Sequence, residues 1–385
     1  MPTSSSLNIG GLSAIKSSLK YMTEDENTAK NAKIENCIGS VKVPVGIAGP
    51  LAVKGSDGTD GIYHAPLATV EPTLVASCAR GCKVFNSSGG VQFKLLRDNM
   101  TRAPVFWFSC PEDAAAFYDV VPGLLSEFRE IAESTSNYAR LVRIDPQIIG
   151  STVHILFEYY TGNAAGQNMV TFATQKVCDL FAESNTALVM KVKNITVEGQ
   201  RVAEKSLSWG NILHSRGVGV MAWGTVTQHA CQSILGCSTW DAYQVIQNTK
   251  EGGTRNGQIG YSANQANVVA AMFIACGQDA ASVSESSWSH LTAEFDRETE
   301  EITLSTYLPS LPVGTVVGGS ALETQREALE LLGCTGPGSK GRLAGLIASF
   351  ALALDVSTVA AITNKTFAAS HRKFARSTGG TQAKL

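Results

Sequence analysis

The feature that most constrains the fold is a largely apolar run near the end of the chain, from Leu343 to Ile362. A run of this length would cross a membrane as a helix. Asp355 lies in its middle, however, and alanine, serine and threonine fill much of it. This composition favours a helix that is buried among other protein elements. The sequence therefore predicts a buried helix of a soluble protein, with a membrane span as the alternative.

Composition narrows the class of protein. The chain has 385 residues, of which 44% are apolar, enough for two or three domains with a substantial core. A net charge of −2 gives no basic surface for nucleic acid. Nine cysteines without a CxxC pair or a Cys/His cluster indicate reduced thiols in an intracellular protein and no metal site. Cys78 and Cys82 fall on an apolar helical face and are predicted to lie in the core.

Periodicity predicts a mixed α and β chain. A helical pattern begins at Glu71, with Leu74, Cys78 and Phe85 on one apolar stripe. Between about 95 and 190, strands alternate with helices, which suggests an inserted α+β domain. The predicted elements there are strands at Val105–Phe108, Arg140–Ile144 and Val153–Tyr160, and helices at Pro111–Glu133 and Gln167–Glu183. A polar loop (192–208), a β-rich run at Val218–Val226 and helices at Trp240–Gln247 and Ala266–Cys276 follow.

Two local patterns suggest a ligand site. Three glycines and two prolines punctuate the mostly apolar run Glu35–Leu51, which predicts a tightly turned loop that a large ligand approaches closely. Short strands and turns are predicted over residues 40–70. Asp279 is the only charged residue between Arg255 and Glu285. Such a carboxylate either caps a helix end or is buried and coupled to another titratable group. The residues alone leave both alternatives open.

The end of the chain carries two further signals. Thr366–Arg376 is a basic, helix-like segment, and its cations either oppose the helix dipole or contact a phosphate-rich ligand. The final Ala383-Lys384-Leu385 resembles the peroxisomal Ser-Lys-Leu address, with a chance tripeptide as the alternative. The expected location is therefore cytoplasmic or peroxisomal.

Several motifs, in order along the chain, resemble those of the 3-hydroxy-3-methylglutaryl-CoA reductase family. They begin with the Glu35–Leu51 run and extend to about Ser377, and together they are far more specific than any one of them. The others are Glu71-Pro-Thr-Leu-Val-Ala-Ser, Met100-Thr-Arg-Ala-Pro, Gly162-Asn-Ala-Ala-Gly-Gln-Asn-Met, Glu204-Lys with Asn211 and Arg216-Gly, Gly277-Gln-Asp-Ala-Ala, Pro312-Val-Gly-Thr-Val and Ser370-His.

This resemblance implies an α+β fold. A large domain of helices and strands surrounds a long central helix, and a ferredoxin-like nucleotide-binding domain is inserted into it. Residues 1–39 would form an N-terminal helical arm, 40–94 and 192–377 the large CoA-ester-binding domain, 95–191 the cofactor domain and 378–385 a flexible tail. Family active sites form between subunits, so a homodimer or homotetramer is implied.

The resemblance also implies a reaction, the reduction of hydroxymethylglutaryl-CoA to mevalonate, an intermediate of isoprenoid biosynthesis, by two hydride transfers. Lys205 would direct a cation at the carbonyl oxygen, where negative charge develops. His371 would protonate the departing CoA thiolate, and a desolvated, protonated Glu71 would protonate the aldehyde oxygen. Asp279 would hold Lys205 and Glu71 in one network.

The residues around these four depart from the family in several places. The implied cofactor-binding residues are Ser136, Asn137, Asn163, Gly166, Asn168 and Arg376, and the implied substrate-binding residues are Arg102, Glu204, Ser206 and Asn267. Asn137 replaces an arginine expected near the 2′-phosphate, Asn163 an aspartate, Ser206 a second lysine and Val317 a glycine. NADPH is the implied cofactor, and the loss of the arginine leaves NADH as the alternative.

Three interpretations follow from the resemblance. The first is a soluble, class I-like reductase without a membrane anchor. The second is a reductase of the same fold that acts on another acyl-CoA thioester. The third is a CoA-ester-binding member that has lost redox chemistry, which Asn137 and Asn163 favour. Ser377 stands at the position of a family phosphorylation site, but the residues that usually follow it are absent.

Overall fold

The computed structural model describes residues 16–17, 19–22 and 31–366. His371, Arg376, Ser377, the predicted tail and most of the predicted N-terminal arm therefore lie outside the described residues.

The Gly/Pro-rich run contributes a strand rather than only a loop. Strand β1 (Val45–Gly55) pairs antiparallel with β2 (Asp60–Ala68). The tightly turned loop predicted for Glu35–Leu51 is thus a strand from Val45 onward, and the short strands and turns predicted over 40–70 are confirmed. Gly46 shows the physical reason, because a Cβ there would approach Cγ2 of Val75 to 2.6 Å. Because glycine has no side chain, the strand can pack closely against the helix that contains Val75. The glycine therefore serves protein packing, whereas the sequence suggested the approach of a ligand.

The first long helix, α1 (Leu74–Asn86), begins later than predicted. Thr73 has a left-handed backbone with φ of 74°, which interrupts helical geometry just before Leu74. Glu71 therefore precedes the helix. The predicted stripe is confirmed, since Leu74, Cys78, Cys82 and Phe85 are buried. All nine cysteines are free.

The segment between Val91 and Thr196 has the predicted alternation. It begins with the long strand β3 (Val91–Arg102). The polar loop predicted over 192–208 contains one short strand, Asn194–Thr196. The elements after β3 are β4 (Val105–Trp107), α2 (Pro111–Val120), a 3₁₀ turn (Val121–Leu124), α3 (Leu125–Glu133), β5 (Arg140–Ile149), β6 (Thr152–Tyr160), α4 (Gln167–Ala182), α5 (Asn185–Val189) and β7 (Asn194–Thr196).

The remaining elements return to the first part of the fold. They are α6 (Trp209–Leu213), β8 (Gly217–Val226), α7 (Gln228–Ala230) with a π turn (Cys231–Leu235), α8 (Thr239–Arg255), α9 (Gln265–Ala275), a 3₁₀ turn (Ala280–Ser282), α10 (Val283–Ser286), β9 (His290–Phe295), β10 (Ile302–Leu311), a 3₁₀ turn (Gly318–Ala321), α11 (Glu323–Leu331) and α12 (Ser339–Thr363).

Strand β3 joins two groups of strands. Most of it pairs with β8, from Gln92 opposite Trp223 to Asn99 opposite Gly217, and its last three residues pair with β6. The strand order is β7-β4-β6-β3-β8-β10-β9, with β1 beside β2 and β3, and β5 beside β6. Each group carries its own hydrophobic cluster. The predicted α+β fold class is confirmed.

Helix α12 lies at the centre of the larger cluster. It is long and apolar enough to cross a membrane, but 94% of its most apolar window is buried inside the fold. The predicted buried helix is therefore confirmed. Asp355 is fully buried and accepts hydrogen bonds from Ala263 N–H, Asn264 N–H and Gln265 Nε2. Burial raises the pKa of its carboxyl to about 6.

Candidate active site

The centre of the site is an ion pair between Lys205 and Asp279, whose Nζ and Oδ2 atoms lie 3.0 Å apart. Asp279 also caps the 3₁₀ turn that follows it, because Oδ1 accepts a hydrogen bond from Ala281 N–H. The two side chains are 43% and 40% exposed. Asp279 thus both caps a helical turn and pairs with a titratable group. The prediction that its carboxylate would be buried is wrong, because the side chain is partly exposed. The pair lies where a ligand can reach it.

Five further charged side chains form a cluster next to this pair, linked to one another by ion pairs. Lys205 joins the cluster through its N–H, which donates to Glu285. Arg102 Nη1 lies 2.9 Å from Glu198 Oε2 and 3.0 Å from Glu204 Oε2. Glu204 Oε1 lies 3.2 Å from Arg216 Nη2, and Arg216 Nη1 lies 3.4 Å from Glu285 Oε1. The predicted residues Arg102 and Glu204 therefore lie beside Lys205. Arg102 is nearly buried, so it is not the surface ion pair that its charge alone would suggest.

Sequence reasoning missed Glu285 and Glu198 as parts of this cluster. Glu285 is separated from Arg216 by 69 residues, and no local periodicity reports a contact over that distance. The available signal was its position six residues after Asp279, in a segment otherwise poor in charge. Burial raises the pKa of the Glu285 carboxyl to about 6, although Arg216 opposes the rise.

The candidate cofactor loop, residues 161–166, leads into α4. Gly166 precedes the helix with φ of 86°, and no side chain caps the helix N-terminus. The exposed Asn168 lies in the first turn. Uncapped N–H groups at the start of a helix are a favourable site for a phosphate group. Asn163 Nδ2 donates a hydrogen bond to the Gly336 carbonyl, which holds the loop in place.

Hydrogen bonds connect this loop to the Lys205–Asp279 pair. The side chain of Gln278, next to Asp279, accepts from Gly314 N–H at 2.8 Å and donates to the Gly314 carbonyl at 2.9 Å. The next residue, Thr315, donates its N–H to the Asn163 carbonyl at 2.9 Å. The Pro312 motif therefore bridges the predicted cofactor and aspartate motifs.

The second cofactor segment emerges at the same end of the sheet. Arg140 at the start of β5 pairs with Tyr160 at the end of β6, so the loops before Arg140 and after Tyr160 are neighbours. Within the first loop, Ser136 Oγ accepts from Tyr138 N–H, and the Asn137 carbonyl accepts from Arg140. Two of the predicted cofactor segments therefore lie at the same end of the sheet.

Within the described residues, Glu71 and Asn267 form no hydrogen bond or ion pair with Lys205 or Asp279. Glu71 is exposed, so the expected desolvation is absent, and its backbone N–H donates to Thr69 Oγ1. Asn267 lies in the first turn of α9 and donates to Asn264 Oδ1. Asp279 follows the other end of α9, about 12 Å along the axis. Ser206, beside Lys205, is exposed.

Comparison with known proteins identifies relatives over most of the chain. The family model described as hydroxymethylglutaryl-coenzyme A reductase matches residues 12–376. The 3-hydroxy-3-methylglutaryl-coenzyme A reductase of Methanocaldococcus jannaschii is 34% identical, over 91% of this chain and 87% of that protein. The protein of the same name from Aeropyrum pernix is 37% identical, over 89% of this chain and 82% of that one.

A solved structure shares the fold. The class II 3-hydroxy-3-methylglutaryl-CoA reductase of Streptococcus pneumoniae, bound to NADPH in open conformations, superposes with a TM-score of 0.68 at 17% identity. The match covers 91% of this chain and 96% of that one. At this identity the likeness concerns the fold, and the class I-like assignment from the motifs stays a prediction.

Proposed function

This chain belongs to the 3-hydroxy-3-methylglutaryl-coenzyme A reductase family, and from that premise we propose that it reduces hydroxymethylglutaryl-CoA to mevalonate. The observation that carries the proposal is the Lys205–Asp279 pair, linked through Gln278 and Gly314 to the candidate cofactor loop. A cation beside a cofactor site suits a reaction in which a carbonyl oxygen gains negative charge.

Lys205 carries the central role in this mechanism. Each hydride that reaches the carbonyl carbon leaves charge on its oxygen, and the ammonium group stabilises that charge. Asp279 orients the ammonium group through the 3.0 Å contact. The first reduction ends with loss of the CoA thiolate, which takes a proton from His371. The second ends in an alcohol, for which Glu71 supplies the proton.

NADPH supplies the two hydrides when it is bound. The uncapped N-terminus of α4, beside Gly166 and Asn168, fits its diphosphate, and Ser136 and Asn137 extend the same edge. Asn163 and, from outside the described residues, Arg376 complete the proposed set. NADH is the alternative cofactor, because asparagine at 137 offers no charge to a 2′-phosphate. An Asn137→Arg variant should lower the KM for NADPH about tenfold, and the KM for NADH is the internal control.

For the substrate we assign Arg102, Glu204, Ser206 and Asn267. Arg102 and Glu204 belong to the charge cluster beside Lys205, and the exposed Ser206 follows it. We also assign CoA-ester binding to residues 40–94 and 192–377, and cofactor binding to 95–191. The two hydrophobic clusters, which meet at β3, support these divisions, although Ile195 packs against the smaller cluster.

The active form is proposed to be a homodimer or a larger homo-oligomer. Glu71 is exposed in one chain, and an acid of this kind needs a covered site. An apolar groove of about 750 Å³ includes the exposed side chains of Val41, Val45, Ile47 and Leu331. Sedimentation should show a dimer or tetramer, and Ile47→Glu should yield monomers with low activity. A fully active monomer would contradict this assignment.

Cofactor oxidation with purified protein and hydroxymethylglutaryl-CoA tests the activity. A panel of other acyl-CoA thioesters distinguishes a reductase of different specificity, which would prefer one of them. Binding of the CoA ester without binding of either reduced cofactor would indicate loss of redox chemistry. Cytoplasmic or peroxisomal location stays a prediction, since the final tripeptide lies outside the described residues.

A further inference from the structure

The backbone of Lys205 is held in an unusual conformation. Its φ is 56°, in the left-handed region that is unfavourable for a residue with a side chain. Its N–H donates to Glu285 Oε1 at 3.3 Å, and its carbonyl accepts from Ser284 Oγ at 2.5 Å. With Asp279 on the ammonium group, the segment 279–285 contacts Lys205 at three points.

Glu285, which accepts the N–H of Lys205, belongs to a buried ion pair. Its side chain and that of Arg216 are both 0% exposed. Glu285 Oε2 and Arg216 Nε have no hydrogen-bond partner within the part of the chain that the structure describes. Buried ion pairs with incomplete hydrogen bonding gain little over apolar residues of the same size. Stability alone therefore gives a weak reason for a carboxylate at this position.

We propose that Glu285 is a positioning residue, which fixes the backbone of Lys205 so that its ammonium group meets the reacting carbonyl. This role rests on the proposed function. Arg216 orients the Glu285 carboxylate and also contacts Glu204, the residue before Lys205. The buried pair thus holds the lysine loop from two sides, at Glu204 and at Lys205.

The first test is Glu285→Gln, which keeps the shape of the side chain but removes its charge. We expect kcat to fall about 10- to 100-fold with little change in KM for either substrate, because small misplacement of a catalytic group affects the chemical step. Glu158→Gln is the matched control, since Glu158 is nearly buried and pairs with Arg143. Its kcat should stay within about twofold of wild type, as expected for a group outside the site.

A double variant, Arg216→Met with Glu285→Leu, separates positioning from stability. Apolar replacement of the pair should restore or raise the Tm, whereas kcat should remain low. This variant also serves if Glu285→Gln does not fold. Recovery of kcat together with Tm would overturn the positioning role, as would wild-type kcat in a folded Glu285→Gln protein.

The two proposals fail in different ways. If the wild-type protein does not reduce hydroxymethylglutaryl-CoA, the proposed function fails, and the role of Glu285 fails with it. If the wild type is active and Glu285→Gln behaves like Glu158→Gln, only the role of Glu285 fails.

Discussion

The smaller hydrophobic cluster and the surroundings of Lys205 are built on opposite principles. In the smaller cluster, Phe106, Phe117, Phe128, Phe157 and Phe181 are fully buried, with ring centroids 5.0 to 5.9 Å apart. Around Lys205, by contrast, the buried charged groups are two arginines and a glutamate. Aromatic packing stabilises the fold but does not fix the position of a reactive atom. Paired charges fix the positions of side chains and backbone, and their burial costs desolvation free energy.

This difference predicts that substitutions in the two regions separate stability from activity. Changes among the phenylalanines should lower the free energy of unfolding and leave the folded enzyme active. Changes around Lys205 should lower kcat more than stability.

The largest expected effect is on stability, from Phe181→Ala. Phe181 contacts three other rings, so truncation should cost about 3–5 kcal/mol in the free energy of unfolding. Urea unfolding measures this, with kcat per folded molecule unchanged. Phe172→Ala on the same helix is the control, since Phe172 is 70% exposed. Equal losses from both variants would refute the role of the aromatic cluster.

Lys205→Ala should show the opposite behaviour. Loss of the cation at the developing oxyanion should lower kcat by about 10²–10³-fold. The free energy of unfolding should change by less than about 1 kcal/mol. Lys176→Ala, which removes an exposed lysine from α4, should leave kcat unchanged. Retained activity in the Lys205 variant would contradict the assigned role.

Gly81→Ala tests the packing of α1 on the central helix. A Cβ at Gly81 would lie 1.7 Å from the Ala353 carbonyl oxygen, so the helices must separate at a cost of about 1–3 kcal/mol. Gly252→Ala in α8 is the control, because nothing lies within 4 Å of its Cβ position. It should stabilise by about 0.5–1 kcal/mol. The account of this interface fails if the two variants have the same Tm.

The smallest expected effect is the pH dependence that Glu285 contributes. Its folded pKa of about 6 lies above the ordinary value of 4.5, so the folded state binds more protons than the unfolded state between these values. Stability from this group is therefore lost as pH rises from about 4.5 to 6, by at most about 2 kcal/mol. Glu285→Gln should gain stability relative to wild type over this interval. A pH-independent difference in unfolding free energy would contradict the assignment.

The sequence predicted what depends on local pattern. The buried stripe of α1, the alternation after Val105 and the burial of α12 follow from spacing and composition, which report local structure directly. The order of motifs predicted that Lys205 and Asp279 belong to one site, and they form an ion pair.

What escaped prediction depends on contacts between distant segments. Short strands were expected over 40–70, but the pairing of β1 with β2 and its close packing on Val75 are contacts that the Gly/Pro run does not specify by itself. The burial of Arg216 and Glu285 follows from their mutual pairing, which neither residue reveals alone. Glu71 is exposed where a desolvated acid was expected, and the roles of Glu71 and His371 stay predictions.

The most direct test counts the NADPH consumed for each mevalonate formed from hydroxymethylglutaryl-CoA, by wild type and by Lys205→Ala. Our account predicts two cofactors oxidised per mevalonate in the wild type, and almost no product from the variant. Mevalonate formation that survives the loss of Lys205, or no cofactor oxidation by the wild type, would contradict it.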